Sequence, residues 1–173
     1  MKKGFTLVEL LVVVAILGVL AAVGIVSFGG YLGSAKEKSL QTNHNNILKF
    51  MESSILKCML MSSTGEEARL PLKKNNGTDY TYNCSNIVAQ NAQSASGAFV
   101  DHFDGEGLKN PYNSSQPLTY HDNCVHQCSN CELGRIHISG EDDTGSNKTN
   151  IIWVMTRYKN DPAQCYENTI TME

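Results

Sequence analysis

The chain has 173 residues and 41% of them are apolar, yet 21 of the apolar side chains fall between Phe5 and Leu32. Roughly 140 residues remain outside that segment, which is room for one modest domain and its core and excludes a large multidomain enzyme. With 14 Lys+Arg against 17 Asp+Glu the net charge is −3, which excludes a field that gathers phosphate backbones, so no nucleic-acid partner is expected.

Met1-Lys2-Lys3-Gly4 is a short basic leader, and after Glu9 no charge appears until Lys36. The uncharged run from Leu10 to Ala35 is 26 residues long, and a helix needs only about 20 to cross a bilayer. Lys2 and Lys3 keep the start of the chain in the cytoplasm and send the bulk of it outward. A cleaved signal peptide has an apolar core of about 7–15 residues and a small-x-small site. Here the run is longer and continues into Gly29, Gly30 and Gly33. Neither a signal peptide nor a plain anchor accounts for Glu9. A lone carboxylate one turn into an apolar helix costs about 2–3 kcal/mol in lipid and calls for a partner.

Lys3-Gly4-Phe5-Thr6-Leu7-Val8-Glu9-Leu10, followed by the apolar run, resembles the class III leader and N-terminal helix of type IV pilins and type II secretion pseudopilins. The resemblance covers residues 1 to 35 in detail and the rest only in architecture. It implies cleavage by a prepilin peptidase between Gly4 and Phe5, N-methylation of Phe5, and pairing of Glu9 with the Phe5 amino group of a neighbouring subunit. Such pairing would neutralise both charges inside an apolar filament core. One position departs from the family pattern. Members commonly carry a proline about two-thirds along the apolar run, where this chain reads Gly24-Ile25-Val26-Ser27. Gly24, Gly29, Gly30 and Gly33 are expected to loosen the helix instead.

From Tyr31 to Met61 the pattern turns amphipathic. Ile47, Leu48, Met51, Ile55, Leu56 and Met59 recur at three- and four-residue steps, with Lys36, Lys38, Asn45, Lys49 and Glu52 on other faces. This stripe is expected to pack against a sheet, and Ser62-Ser63-Thr64-Gly65 to stop the helix. A helix from Phe5 to Met61 is roughly 85 Å long at 1.5 Å per residue. Residues 62–117 read as a loop-rich connection with one or two short strands, punctuated by Asn75-Asn76-Gly77, Ser94 to Gly97, Asp104-Gly105-Glu106-Gly107 and Asn110-Pro111-Tyr112. The short runs there are Tyr80-Thr81-Tyr82 and Ala98-Phe99-Val100. Stronger strand signals follow at Leu133 to Ser139, Asn150 to Tyr158 and Tyr166 to Met172, the first two separated by Gly140 to Asn147. The expected fold is α+β: a long N-terminal helix on a small antiparallel sheet of three or four strands, stapled by disulfides. Its parts are the leader 1–4, the membrane or filament-core helix 5–32, its amphipathic half 33–61, and the head 62–173, with the sheet in 118–173.

The cysteines are Cys58, Cys84, Cys124, Cys128, Cys131 and Cys165. Cys124, Cys128 and Cys131 lie near His121, His126 and His137, which suggests zinc, but the spacing supplies only half of a tetrahedral site. Glu132 follows Cys131, so Cys128-x-x-Cys131 is not a haem attachment motif. An even count outside the cytoplasmic membrane favours three disulfides. Cys58 is expected to join Cys84, and Cys165 one member of the triplet, each bridge contributing about 2–4 kcal/mol. Asp101, Asp104 and Glu106, or Glu141, Asp142 and Asp143, could bind calcium through oxygen clusters, although neither matches the twelve-residue calcium loop. No cofactor is expected, with calcium as the alternative. The histidines are expected at surfaces or in loops. Sequons starting at Asn76, Asn83, Asn113 and Asn147 are what chance gives in so polar a chain. No nucleophile elbow, phosphate loop or zinc-protease helix is present. Cys124 beside His121 could serve as a thiol nucleophile only if unoxidised. An enzyme is not expected.

The resemblance implies a structural subunit of a type IV pilus, held in the bacterial inner membrane and then extracted into an extracellular homopolymeric filament for adhesion, motility or DNA uptake. Its implied partners are the prepilin peptidase, the assembly platform and its ATPase. Two alternatives stand beside this: a pseudopilin in a periplasmic type II secretion pseudopilus, and a minor pilin acting as a binding module. A nucleic-acid-binding module calls for a basic stripe, and once Lys2 and Lys3 are removed only 12 Lys+Arg face 17 Asp+Glu.

Overall fold

The computed structural model describes residues 4–63, 67–89, 91–121, 124, 127–141, 150–161 and 163–172. They fall into two compact units, divided between Lys36 and Glu37. The helix α1, Leu7–Ser62, runs through both and is unbroken at Gly24, Gly29, Gly30 and Gly33. It ends at Ser62 as the stop signal requires, while Thr64 and Gly65 lie outside the described residues.

In the second unit the buried residues of α1 are Leu40, His44, Ile47, Met51, Ser54, Ile55 and Cys58. Their three- and four-residue steps make one stripe, shifted from the expected one. Leu56 lies off it and is 57% exposed, because its place on the helix points it away from the head. Against the stripe stands a four-stranded sheet ordered β3-β4-β5-β6, formed by Thr119–Tyr120, Ile136–Glu141, Ile151–Arg157 and Cys165–Thr171. β4, β5 and β6 pair antiparallel as expected. The two-residue β3 is a parallel addition, with Thr119 opposite Ile136 and Tyr120 opposite His137. Alternation along β5 sends Ile152 and Val154 into the main core and Met155 to the opposite face, where it packs with Cys124, Cys131 and Cys165.

The connection before the sheet is more ordered than expected. β1, Arg69–Lys73, and β2, Asp79–Asn83, form a hairpin in which Leu72 faces Tyr80. Its turn holds Gly77 at φ 82°, the left-handed conformation that glycine adopts without a Cβ penalty. After the short helix α2, Ser85–Val88, comes α3, Ala92–Gly105. Ala98-Phe99-Val100 lies inside α3, so it is helix and not strand. Asn91 caps it, its side chain accepting the Ser94 N–H at 2.8 Å. Ala92, Ala95, Ser96, Phe99 and Phe103 are its buried face. The small residues let it lie against β4 so closely that a Cβ at Gly140 would overlap the Ala92 carbonyl. Phe50 of α1 meets Phe99 and Phe103 edge-on and stacks on His102 with 4.7 Å between centroids.

Asn110-Pro111-Tyr112 is the expected turn. Asn110 is buried, its side-chain oxygen accepting the Tyr112 N–H at 2.8 Å and its amide donating to the Leu133 carbonyl at 3.1 Å. Of the expected link from Gly140 to Asn147, Gly140 and Glu141 belong to β4 instead, and residues 142–147 lie outside the described set.

Candidate functional site

Gly4, Phe5 and Thr6 precede α1 in non-helical chain, and Phe5 is 84% exposed. The peptide bond between Gly4 and Phe5 therefore sits in accessible backbone just ahead of a helix, the form in which a protease can bind it. Lys2 and Lys3 lie outside the described residues.

Thr6 and Glu9 close the start of α1 reciprocally. Glu9 Oε2 accepts the Thr6 N–H at 2.9 Å and the Thr6 hydroxyl at 2.8 Å, while Thr6 Oγ1 accepts the Glu9 N–H at 3.3 Å. This is a capping box, which satisfies helix-terminal donors that have no intrahelical acceptor. The Thr6-Leu7-Val8-Glu9 spacing is the sequence signal for it, although the resemblance to the pilin leader by itself gives Thr6 no role. Both bonds use one carboxylate oxygen. The other, Oε1, has no hydrogen-bond partner among the described residues, so Glu9 keeps an acceptor for a further donor.

From Phe5 to Leu32 the large apolar side chains are 47% to 84% exposed. A stretch of that size left in water is far beyond the patch a soluble monomer carries. α1 contains a segment long and apolar enough to cross a membrane.

In the head, disulfides join Cys58 to Cys84, Cys124 to Cys131 and Cys128 to Cys165. The first ties the end of α1 to the start of α2. The other two bring Cys124, Cys131 and Cys165 against Met155, on the face of the sheet opposite the main core. Cys124, Cys131 and His137 bring their ligand atoms within 4.8 Å of one another. Both sulfurs are bonded to each other, though, and a disulfide sulfur is not a thiolate ligand. His137 Nε2 accepts the Glu132 N–H at 3.0 Å. His121 turns to Ser96 Oγ at 3.1 Å and is not paired with Cys124. His126 lies outside the described residues. The expectation that the histidines lie at surfaces or in loops fails for His44 and His137, which are 1% and 2% exposed. Their ring nitrogens have hydrogen-bond partners, so both fit in the interior.

The acidic residues of α3 and the turn after it diverge. Asp104 bonds Thr119 Oγ1 at 2.7 Å, and burial pushes its carboxyl up while that bond and nearby Arg135 oppose the shift. Glu106 pairs with Lys73 at 2.9 Å, and this hydrogen bond holds its carboxyl below the usual range. Asp101 is exposed. Glu141 accepts from Trp153 Nε1 at 3.2 Å, while Asp142 and Asp143 lie outside the described residues.

Residues 1–25 match the family model described as the prokaryotic N-terminal methylation motif. The chain is similar to proteins named type IV major fimbrial protein FimA from Dichelobacter nodosus. One is 28% identical over 104 residues, 59% of this chain and 62% of the relative. Two others are 33% and 34% identical over 67 and 56 residues, covering 39% and 32% of this chain and 40% and 36% of those relatives. The matches thus span less than two thirds of each relative's length. No solved structure matches. The chain carries the N-terminal methylation motif of the type IV pilins at the head of an α+β, disulfide-linked fold of the type IV pilin kind.

Proposed function

We propose that the chain is a structural, non-catalytic subunit of a type IV pilus, held in the bacterial inner membrane by α1 and then polymerised through that helix into an extracellular filament. The observation that carries this reading is Glu9, at the mouth of a helix whose apolar side chains are exposed from Leu7 to Leu32. Lipid covers those side chains before assembly, and the helices of neighbouring copies cover them afterwards.

Cleavage between Gly4 and Phe5 by a prepilin peptidase frees an α-amino group on Phe5, which is then methylated and remains cationic. Glu9 Oε1 of a second copy accepts from it. Each charge alone in an apolar medium is costly, and the pair with its hydrogen bonds offsets that cost, which fixes the axial register between copies. The assembly platform and its ATPase supply the extraction. The filament serves adhesion, motility or DNA uptake, and three disulfides suit a head exposed to the medium.

The test is microscopy of cells expressing the gene at native level, with an antibody against the head. Thin filaments decorated along their length, lost on deletion of the gene with secreted enzymes unchanged, are the expected result. Persisting filaments with failed secretion would replace this reading with a secretion pseudopilin. Undecorated filaments or decorated tips alone would indicate a minor subunit.

A further inference from the structure

His44 is a polar interruption in the apolar stripe of α1. It is 1% exposed, with Nδ1 at 2.7 Å from Thr156 Oγ1 on β5 and Nε2 at 2.8 Å from Asn168 Oδ1 on β6. An amide oxygen only accepts, so Nε2 carries the proton and Nδ1 accepts the Thr156 hydroxyl. The neutral ring makes both bonds in this way, and it links one helix to two neighbouring strands.

The groups around it offer no countercharge. On α1 the acidic residue two turns earlier on the same side is Glu37, which pairs with Lys159 at 3.6 Å. On β6 the Tyr166 ring lies 5.8 Å away and stacks at 4.4 Å on Tyr158, while Glu167 is exposed and alternates to the other face. On β5, Arg157 donates to the Cys131 and Asn160 carbonyls. Burial holds the imidazole below its ordinary value, and the Asn168 bond opposes this more weakly.

We propose that His44 is a pH-sensitive clamp between α1 and the head sheet: neutral, it ties β5 and β6 to the helix; protonated, it becomes a buried cation whose bond to Thr156 must reverse, and that packing loosens. The native state favours the neutral ring, so the unfolded chain binds the extra proton first. The stabilisation is complete above the ordinary histidine value of about 6.5 and is lost as pH falls through it towards the lower native value. Residues 5–36 contain no histidine, so protonation across the histidine range acts on the head. A fibre entering an acidic compartment then loosens at its heads first.

The test uses the full chain in detergent micelles, with unfolding of the head followed by near-ultraviolet circular dichroism at about pH 7.5 and about pH 5, across the histidine range. Wild type is compared with His44→Gln, which keeps the other four histidines. On acidification the folded-to-unfolded ratio of wild type should fall further than that of the variant. Equal losses would overturn the proposal. Should the variant fail to fold, the His44 ring proton is followed by NMR in wild type. A midpoint below about 6.5 with concurrent changes at Thr156 and Asn168 is expected, whereas an ordinary midpoint without those changes would overturn the proposal.

Discussion

Between Phe5 and Leu32 no large apolar side chain is less than 47% exposed, whereas in the second unit Leu40, Met51, Phe99, Ile138 and Ile152 are all within 1% of complete burial. The two regions use the same residue types to opposite ends. In the head, apolar area is consumed internally, and buried polar side chains such as His44, Asn110 and Thr119 are hydrogen-bonded within the chain. In the N-terminal segment the apolar area is exposed, and one Glu9 carboxylate oxygen has no partner there among the described residues. A head with a closed core and a helix with an open apolar surface suit the polymer subunit proposed above, in which cohesion comes from neighbouring copies.

The comparison breaks most visibly if Glu9 is removed. Glu9→Val deletes the charge that is costly in lipid, so membrane insertion should hold or rise while sheared-fibre yield falls at least about tenfold, equivalent to about 1.4 kcal/mol or more per added subunit. Yield of the fibre fraction against membrane-fraction protein measures this, and normal fibres would remove Glu9 from the assembly account. In the head, Phe99→Ala should cost about 3–5 kcal/mol, because Phe99 is 1% exposed and packs edge-on against Phe50. Chemical denaturation of the full chain in micelles reads that loss. Replacing Cys58 and Cys84 together by Ser should cost about 2–4 kcal/mol by the same assay. In wild type, thiol labelling under denaturing conditions should find no free sulfhydryl until reductant is added. The smallest effect belongs to Thr6→Val, which removes the capping hydroxyl at a cost of about 1 kcal/mol. Faster amide exchange confined to the first turn of α1 is the expected readout, and unchanged exchange would show that the capping box contributes nothing there.

Much of this organisation is legible in the sequence because its signals are local. The uncharged run, the leader octet and the alternation in Ile151–Arg157 each announce one element, and β4, β5 and β6 lie within a few residues of where alternation places them. α3 is hidden because Ser94, Ser96 and Gly97 look like loop residues, although they lie inside a helix whose first residue, Ala92, lies directly against Gly140 of β4. His44 is hidden for a different reason. A histidine on a helix looks solvent-facing until Thr156 and Asn168, more than 110 positions away, supply its partners. At the N-terminus Glu9 stands out as an expensive charge, whereas Thr6 becomes visible only once its hydroxyl and amide are seen to hold that carboxylate.

In the proposed function the chain is cut between Gly4 and Phe5 and then built into a fibre through the end so created. Intact-mass analysis of the subunit recovered from sheared filaments tests it most directly. The expected mass is that of a chain beginning at Phe5, heavier by one CH2 and lighter by the hydrogens of three disulfides. A filament subunit that still begins at Met1, or a sheared fraction that lacks this chain while the membrane fraction retains it, would contradict the claim.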